Sequence, residues 1–353
     1  MTDPHLLMLY NEPILPRDHP DAAQEYEILE TVERIRGILT KANFRISLLG
    51  VSTDPLPLIR GLREIRPDAV FNLFEGLANR GETEAAVAGL LEWMEIPFTG
   101  CPASAITIGR DKFRTKIMLL GAQLPTAPFR LIETLPAPIW EGEWPVIVKP
   151  ALQDASVGIE QKSVATNQKQ LNQRIAYVLE NYGAPVLVEQ FIHGREFLVG
   201  MLEEENATSP SGLTMLPLAE IVFKSKDKKQ WPIYSYDAKW KSDSAEYRET
   251  PLEVPVILEV SLMNRIRQVA ERAYRLIGCR DYARVDIRLS ESGEPFILEV
   301  NPNPFLNSIA IIDGLESMNR QHNDFIIDLA WTALKRGGKS RPSVPQSTGR
   351  DAG

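Results

Sequence analysis

Cysteine is scarce: the chain of 353 residues carries two, Cys101 and Cys279. They stand far apart without a paired spacing, which excludes a disulfide framework or a thiolate metal site as the expected reading. The four histidines are scattered, so no zinc-type cluster is expected. Positive charge is in deficit, with 39 Lys and Arg against 47 Asp and Glu for a net −8. That balance argues against a broad nucleic-acid footprint. The one basic run, Lys224 to Lys229, reads as a solvated loop. No apolar run approaches the roughly 20 residues of a membrane span, and no signal-peptide pattern opens the chain. The expectation is a soluble cytoplasmic protein that engages neither nucleic acid nor membrane.

What is present is an ordinary globular composition, 44% hydrophobic and 24% charged, with chain enough for two or three domains. The first third alternates strand and helix. "HLLMLY" reads as a buried strand, and Ile28, Leu29, Val32, Ile35, Ile38 and Leu39 recur at helical spacing between Asp21 and Ala42. "FRISLLGV" and "DAVFNLF" are further strands, and a helix spans about Thr83 to Met94. This alternation predicts a parallel sheet covered by helices. A helix from about Asp111 stops at Gly121. Strand-like "TAPFRLIE", "PVIVKP", "PVLVEQFI" and "REFLVGML" follow, with a helix over "NQKQLNQRIAYVLENYG", which suggests an antiparallel α+β middle domain. After the polar turn "EEENATSPSG", residues 224–251 are charged and aromatic without period, a long loop of the functional kind. A helix from about Pro255 to Ile277 precedes two more strands. Residues 337–353, rich in Gly, Ser and Pro, read as a disordered tail.

Those last two strands carry the clearest chemistry. In "YARVDIRLS", Arg284, Asp286 and Arg288 share one face; in "EPFILEVN", Ile297, Glu299 and Asn301 share one. With Glu291 to Glu294 as the turn, Leu289 pairs with Phe296, Asp286 faces Glu299, and Arg284 faces Asn301. Two carboxylates directly opposed repel. A cation between them removes the conflict, and an all-oxygen donor set suits Mg²⁺, which prefers to keep waters and substrate phosphates. Arg284 on the same face would neutralise a phosphate or an oxyanion. On these residues alone, a hairpin with one charged solvent face is as good a reading.

Other candidates are weaker singly. Lys149 ends the strand "VIVKP", and the small-residue loop "LQDASVG" after it can present backbone N–H groups to phosphate, although Asp154 and Ala155 stand where glycines would be more convincing. Lys112 and Lys116, at i and i+4, read as a solvated helix face. Glu189 and Glu196 lie in successive strands, where a carboxylate can accept ribose hydroxyls or simply face water.

In their order, Lys112 in "DKFRTK", Lys149 in "VIVKP", the "SVG" loop, "VEQFIHGREF", "YDAKW", "RVD" and "LEVN" resemble the ATP-grasp ligases. With "FNLFEG…GETEAAVAGLLEWMEIPFTG", the chain resembles the D-alanine–D-alanine ligase branch over roughly residues 65–310. The resemblance implies a three-domain ATP-grasp fold: a parallel α/β domain (1–107), a central antiparallel α+β lid domain (108–195), and a C-terminal α+β domain (196–336) with a lid loop at 224–251. It implies an ATP- and Mg²⁺-dependent carboxylate–amine ligase working through an acylphosphate, with two Mg²⁺ ions (or Mn²⁺), small-molecule substrates and a homodimer. Carried over by motif, Lys112, Lys149 and Lys239 contact phosphates, and Ser156, Val157 and Gly158 form the phosphate loop. Glu189 and the backbone near Ile192 recognise adenine, and Glu196 holds ribose. Asp286, Glu299 and Asn301 hold the metal ions. Arg284, Lys239 and Ser156 are the catalytic candidates.

Departures from the family gather on the amino-acid side. "DASVG" replaces the usual "GSSVG", so Ala155 stands for a serine. Trp240 replaces the lid tyrosine, Phe305 the glycine of "PG", Ala310 the serine that binds the acceptor carboxylate, and Glu75 the histidine of "HG". Glu12 is the one counterpart offered for the N-terminal glutamate, and Asn307 lies in the same divergent "PNPFLNS". Paired loss of a hydrogen-bonding serine and tyrosine is coordinated, because losing one alone strands its partner. An acceptor other than D-Ala is therefore expected. An authentic D-alanine–D-alanine ligase, a phosphotransferase to a non-carboxylate, and a nucleotide-binding protein without catalysis are the alternatives.

Overall fold

The computed structural model describes residues 3–14, 22–77, 80–205, 207, 209–227 and 229–341. Asp21, Asn206, Thr208, Lys228 and the tail from 342 on, which figure in the expectations above, lie outside the described residues. Two compact units form. One comprises Met1–Phe74, Leu90–Thr99 and Asn323–Gly353, the other Glu75–Gly89 and Gly100–His322.

The elements begin with β1 (His5–Asn11), α1 (Ala22–Lys41), β2 (Arg45–Val51), α2 (Leu56–Ile65), β3 (Ala69–Leu73) and α3 (Thr83–Trp93). In the first unit the strands pair in parallel in the order β2-β1-β3. Leu6 to Leu9 of the central strand are wholly buried, as an unbroken apolar run in a parallel sheet requires. From α1, Ile28, Val32, Ile35 and Leu39 turn inward, the helical stripe expected. The short α2 was not foreseen. Its opening "DPLPL" looks like a breaker, yet a proline in a helix's first turn gives up a hydrogen bond the helix would not make.

The second unit continues with α4 (Ala103–Arg110), α5 (Lys112–Gly121), β4 (Phe129–Ile132), β5 (Val146–Pro150), β6 (Val164–Ala165), α6 (Gln168–Tyr182) and β7 (Val186–Gln190). The strands form an antiparallel sheet, β4-β7-β5-β6. Leu171, Ile175 and Val178 of α6 pack on its Val146, Val148, Val186 and Val188. Next come β8 (Gly194–Glu203), β9 (Leu213–Met215), β10 (Leu218–Ile221), α7 (Tyr236–Trp240), α8 (Ala245–Glu249), β11 (Leu252–Val256), α9 (Val260–Ile277), β12 (Tyr282–Ser290), β13 (Pro295–Pro302) and α10 (Ile309–Ser317), while α11 (His322–Arg336) lies almost wholly in the first unit. The larger sheet runs β11-β10-β8-β12-β13, with β9 on β8.

Three expectations are corrected. The stretch 224–251 is not without structure: α7 and α8 each start at a serine, Ser235 and Ser244, whose side chain accepts from the turn it opens. The helix expected from Pro255 begins at Val260, because β11 runs through Pro255 as an edge strand, where a missing N–H is tolerated. Residues 337–341 are ordered around Lys339, which pairs with Asp68 at 3.0 Å. The two cysteines are free and buried. Distant in sequence, they are neighbours in space: Cys101 Sγ accepts from the Arg280 N–H at 3.4 Å, one residue beyond Cys279.

Candidate functional site

β12 and β13 form the expected hairpin, with Asp286 opposite Glu299 and Arg284 opposite Asn301. The register near the turn differs: Leu289 pairs with Pro295, not Phe296, because a bulge between Asp286 and Ile287 leaves Leu298 unpaired. Such a bulge bends the strand and re-aims side chains, here beside the acidic pair. Arg284 donates to both oxygens of Asp286, at 2.6 and 2.8 Å. Asn301 Nδ2 donates to Asp286 at 3.1 Å and to Glu299 at 3.3 Å. Lys112 Nζ lies 3.4 Å from Glu299. Burial, reinforced by Glu299, pushes Asp286 up to about 6 against the pull of Arg284. Burial acts on Glu299 too, but Lys112, Arg284 and Lys149 overcome it and hold that carboxyl well below the usual range. Among the described residues no group of three or more His, Cys, Asp or Glu gathers. Two carboxylates and an amide leave most coordination positions to waters and phosphates, the donor set Mg²⁺ takes.

Behind the hairpin lies a tier of lysines. The expectation of a solvated face on α5 is wrong: Lys112 is 9% exposed and Lys116 not at all. Lys112 donates to Gln153 O at 2.6 Å and Asp154 at 3.0 Å. Burial would lower it, but Asp154 and Glu299 hold it above the usual lysine range. Lys116 pairs with Glu189 at 2.6 Å, and Lys149 pairs with the other oxygen of the same carboxylate. Burial alone would raise Glu189, but the two lysines hold it at about 2. Lys116 was the residue missed, and Glu189, 1% exposed, faces lysines instead of water.

The loop after β5 turns left-handed at Ala155 (φ 56°), Ser156 (φ 62°) and Gly158 (φ 74°). The two non-glycine positions cost about 1–2 kcal/mol each. Several bonds fix this shape. Arg110 lies 3.1 Å from Asp154 and 3.2 Å from Glu84. Ser156 Oγ donates to Tyr234 O, and Trp240 Nε1 donates to Ala155 O, both at 2.9 Å. Arg174, buried on α6, donates to Gly158 O at 2.7 Å. Beside Trp240, Lys239 is half-buried, and burial followed by Arg284 pulls it down to about 8.

Glu196 is engaged by Arg288, which also donates to Ile192 O at 2.9 Å and Pro232 O at 2.6 Å. Arg288 thus ties Ile192 and Glu196, two of the three expected nucleoside positions, to the segment before α7. Its place on the Asp286 face was visible in the alternation; its role was not. Trp240 is 36% exposed, Phe305 and Asn307 are half-buried, and Glu75 is exposed. Ala310 packs with Leu198, Ala219 and Ile221 in a buried cluster. Glu12 lies in the first unit, exposed over Gly50.

Residues 133–318 match the family model described as the D-ala D-ala ligase C-terminus. Over 299 residues the chain is 32% identical to a D-alanine--D-alanine ligase of Alcanivorax borkumensis, covering 83% of this chain and 85% of that one. Protein y4sG of Sinorhizobium fredii, uncharacterised, is 30% identical over 72% of this chain and 69% of its own. The D-alanine--D-alanine ligase of Bacillus anthracis complexed with ATP superposes with a TM-score of 0.71 over 94% of this chain and 98% of that one, at 18% identity, a likeness of fold.

Proposed function

Because the chain belongs to the D-alanine–D-alanine ligase family, we propose that it joins an amino acid or small carboxylate to an amine, the pair being other than two D-alanines. It is an ATP-dependent ligase forming carbon–nitrogen bonds on the ATP-grasp fold, and it uses ATP and Mg²⁺. Bound Mg²⁺–ATP supplies the phosphoryl group that activates the carboxylate. Asp286, Glu299 and Asn301 would hold the metal. Lys112, Lys149 and Lys239 bind phosphates, together with the N–H groups of Ser156, Val157 and Gly158. Glu189, Ile192 and Glu196 bind the nucleoside. Arg284 would stabilise the oxyanion that forms as the amine adds. Positioning and charge neutralisation carry such chemistry, with no covalent nucleophile from the enzyme.

The observation that carries the substrate reading is the bond from Trp240 to the Ala155 carbonyl. At the two positions where the family has tyrosine and serine, this chain ties lid to phosphate loop through an indole and a backbone oxygen. The replacement is a working contact, which supports a rebuilt amino-acid pocket over a decayed one. A panel of amino acids and small carboxylates, read by ATP-dependent phosphate release and product mass, tests it. Turnover of D-Ala alone at an ordinary ligase's rate would identify an authentic D-alanine–D-alanine ligase instead. A stable phosphorylated product without amide would identify a phosphotransferase. The enzyme is further proposed to work as a homodimer, which light scattering at working concentration checks.

A further inference from the structure

Glu189 draws a lysine from each of two elements, and the two are not equivalent. The side chain of Lys149, from β5, is 17% exposed, whereas that of Lys116, from α5, is 1% exposed. Lys116 is also fixed from its far side. It donates to Thr126 Oγ1 at 2.7 Å, and Thr126 donates at 3.0 Å to the carbonyl of Ile297, two residues before Glu299. One lysine can turn to an incoming ligand and the other is locked.

A phosphate that takes Lys149 takes it from Glu189. Were Lys149 the sole partner, its departure would strand a buried carboxylate, one of the costliest events in a protein interior. We propose that Lys116 is a positioning residue, the resident counter-ion that keeps Glu189 paired while Lys149 passes to a nucleotide phosphate. Before the exchange two ammonium groups crowd one carboxylate; burial first, and the charge of Lys149 with it, weaken the hold of Lys116 on its proton. After it, Lys116 and Glu189 form a simple pair, and the oxygen Lys149 vacates can accept from an amino group such as adenine carries. One ion-pair exchange then senses both ends of the nucleotide.

This rests on Lys149 as a phosphate ligand, and the experiment separates the two ideas. Mg²⁺–ATP affinity is measured by calorimetry for the wild type, Lys149→Met, Lys116→Met, Glu189→Gln and the double variant Lys116→Met/Glu189→Gln. Lys149→Met should weaken binding about tenfold or more, and Lys116→Met about thirtyfold or more. In the Glu189→Gln background, where no carboxylate can be stranded, Lys116→Met should cost less than about threefold. Since Lys149 still pairs with Glu189 in the empty site, Lys116→Met should fold; a failure to fold overturns the proposal. An equal loss in both backgrounds also overturns it, because Lys116 would then be merely structural. Unchanged affinity in Lys149→Met refutes the phosphate role of Lys149 itself. Loss in Lys149→Met with none in Lys116→Met refutes the counter-ion alone.

Discussion

Asp154 stands among the cations proposed to bind a triphosphate. Its carboxylate lies 3.1 Å from Arg110 and 3.0 Å from Lys112, at a position where the family usually has glycine. A phosphate approaching Lys112 must compete with it. Asp154→Asn removes the competing charge and keeps the side chain's shape. The KM for ATP should therefore fall several-fold. The pairs are partly exposed, so stability should change by no more than about 1 kcal/mol; initial rates and a melting curve check both. Lys239 gives a second prediction. Its proton leaves at about 8 in the empty enzyme, and phosphate oxygens favour the charged form. ATP affinity should thus hold at lower pH and fall above pH 8, by up to about tenfold per unit. Proton uptake should accompany binding there. Lys239→Arg stays charged throughout and should flatten that limb of kcat/KM for ATP; a limb unmoved by the substitution would assign it to another group.

Among elements, the hairpin was the most legible because alternation in a strand fixes faces, and Asp286 meets Glu299 as expected because the bulge offsets a one-residue shift at the turn. The bulge escaped because it alters register without altering alternation near the site. Lys116 escaped for a different reason: two lysines at i and i+4 have the pattern of a wet helix face, and the Glu189 that buries the second is 73 residues away. The helices α7 and α8 escaped because five residues hold too little periodicity, though their capping serines were there to be read. These helices make the next prediction. Trp240→Phe keeps the ring and deletes the donor to Ala155 O, a hydrogen bond of about 1 kcal/mol. Turnover should drop roughly fivefold, the equivalent of that energy, while the melting temperature stays put because Trp240 is 36% exposed. By contrast, Glu299→Gln or Asp286→Asn should abolish ATP turnover with the fold intact. Near-normal activity in either would remove the hairpin from the metal site.

On the scale of the whole molecule, a net charge of −8 conceals a local excess of cations. Arg110, Lys112, Lys116, Lys149, Lys239, Arg284 and Arg288 all belong to the second unit, and every proposed nucleotide and metal residue lies there too. The first unit contributes Glu12, just past the end of β1, alone to the candidates. ATP stabilises only those openings that destroy its site, by about 2.7 kcal/mol at a hundredfold excess over Kd. In hydrogen–deuterium exchange, saturating Mg²⁺–ATP should therefore slow the amides of α5, β5, β7, β12 and β13 by up to about a hundredfold. The amides of β1, β2 and β3 should exchange as before. Equal protection of that parallel sheet would mean that the second unit's residues are not the whole nucleotide site, and that residues of the first unit must be added to it.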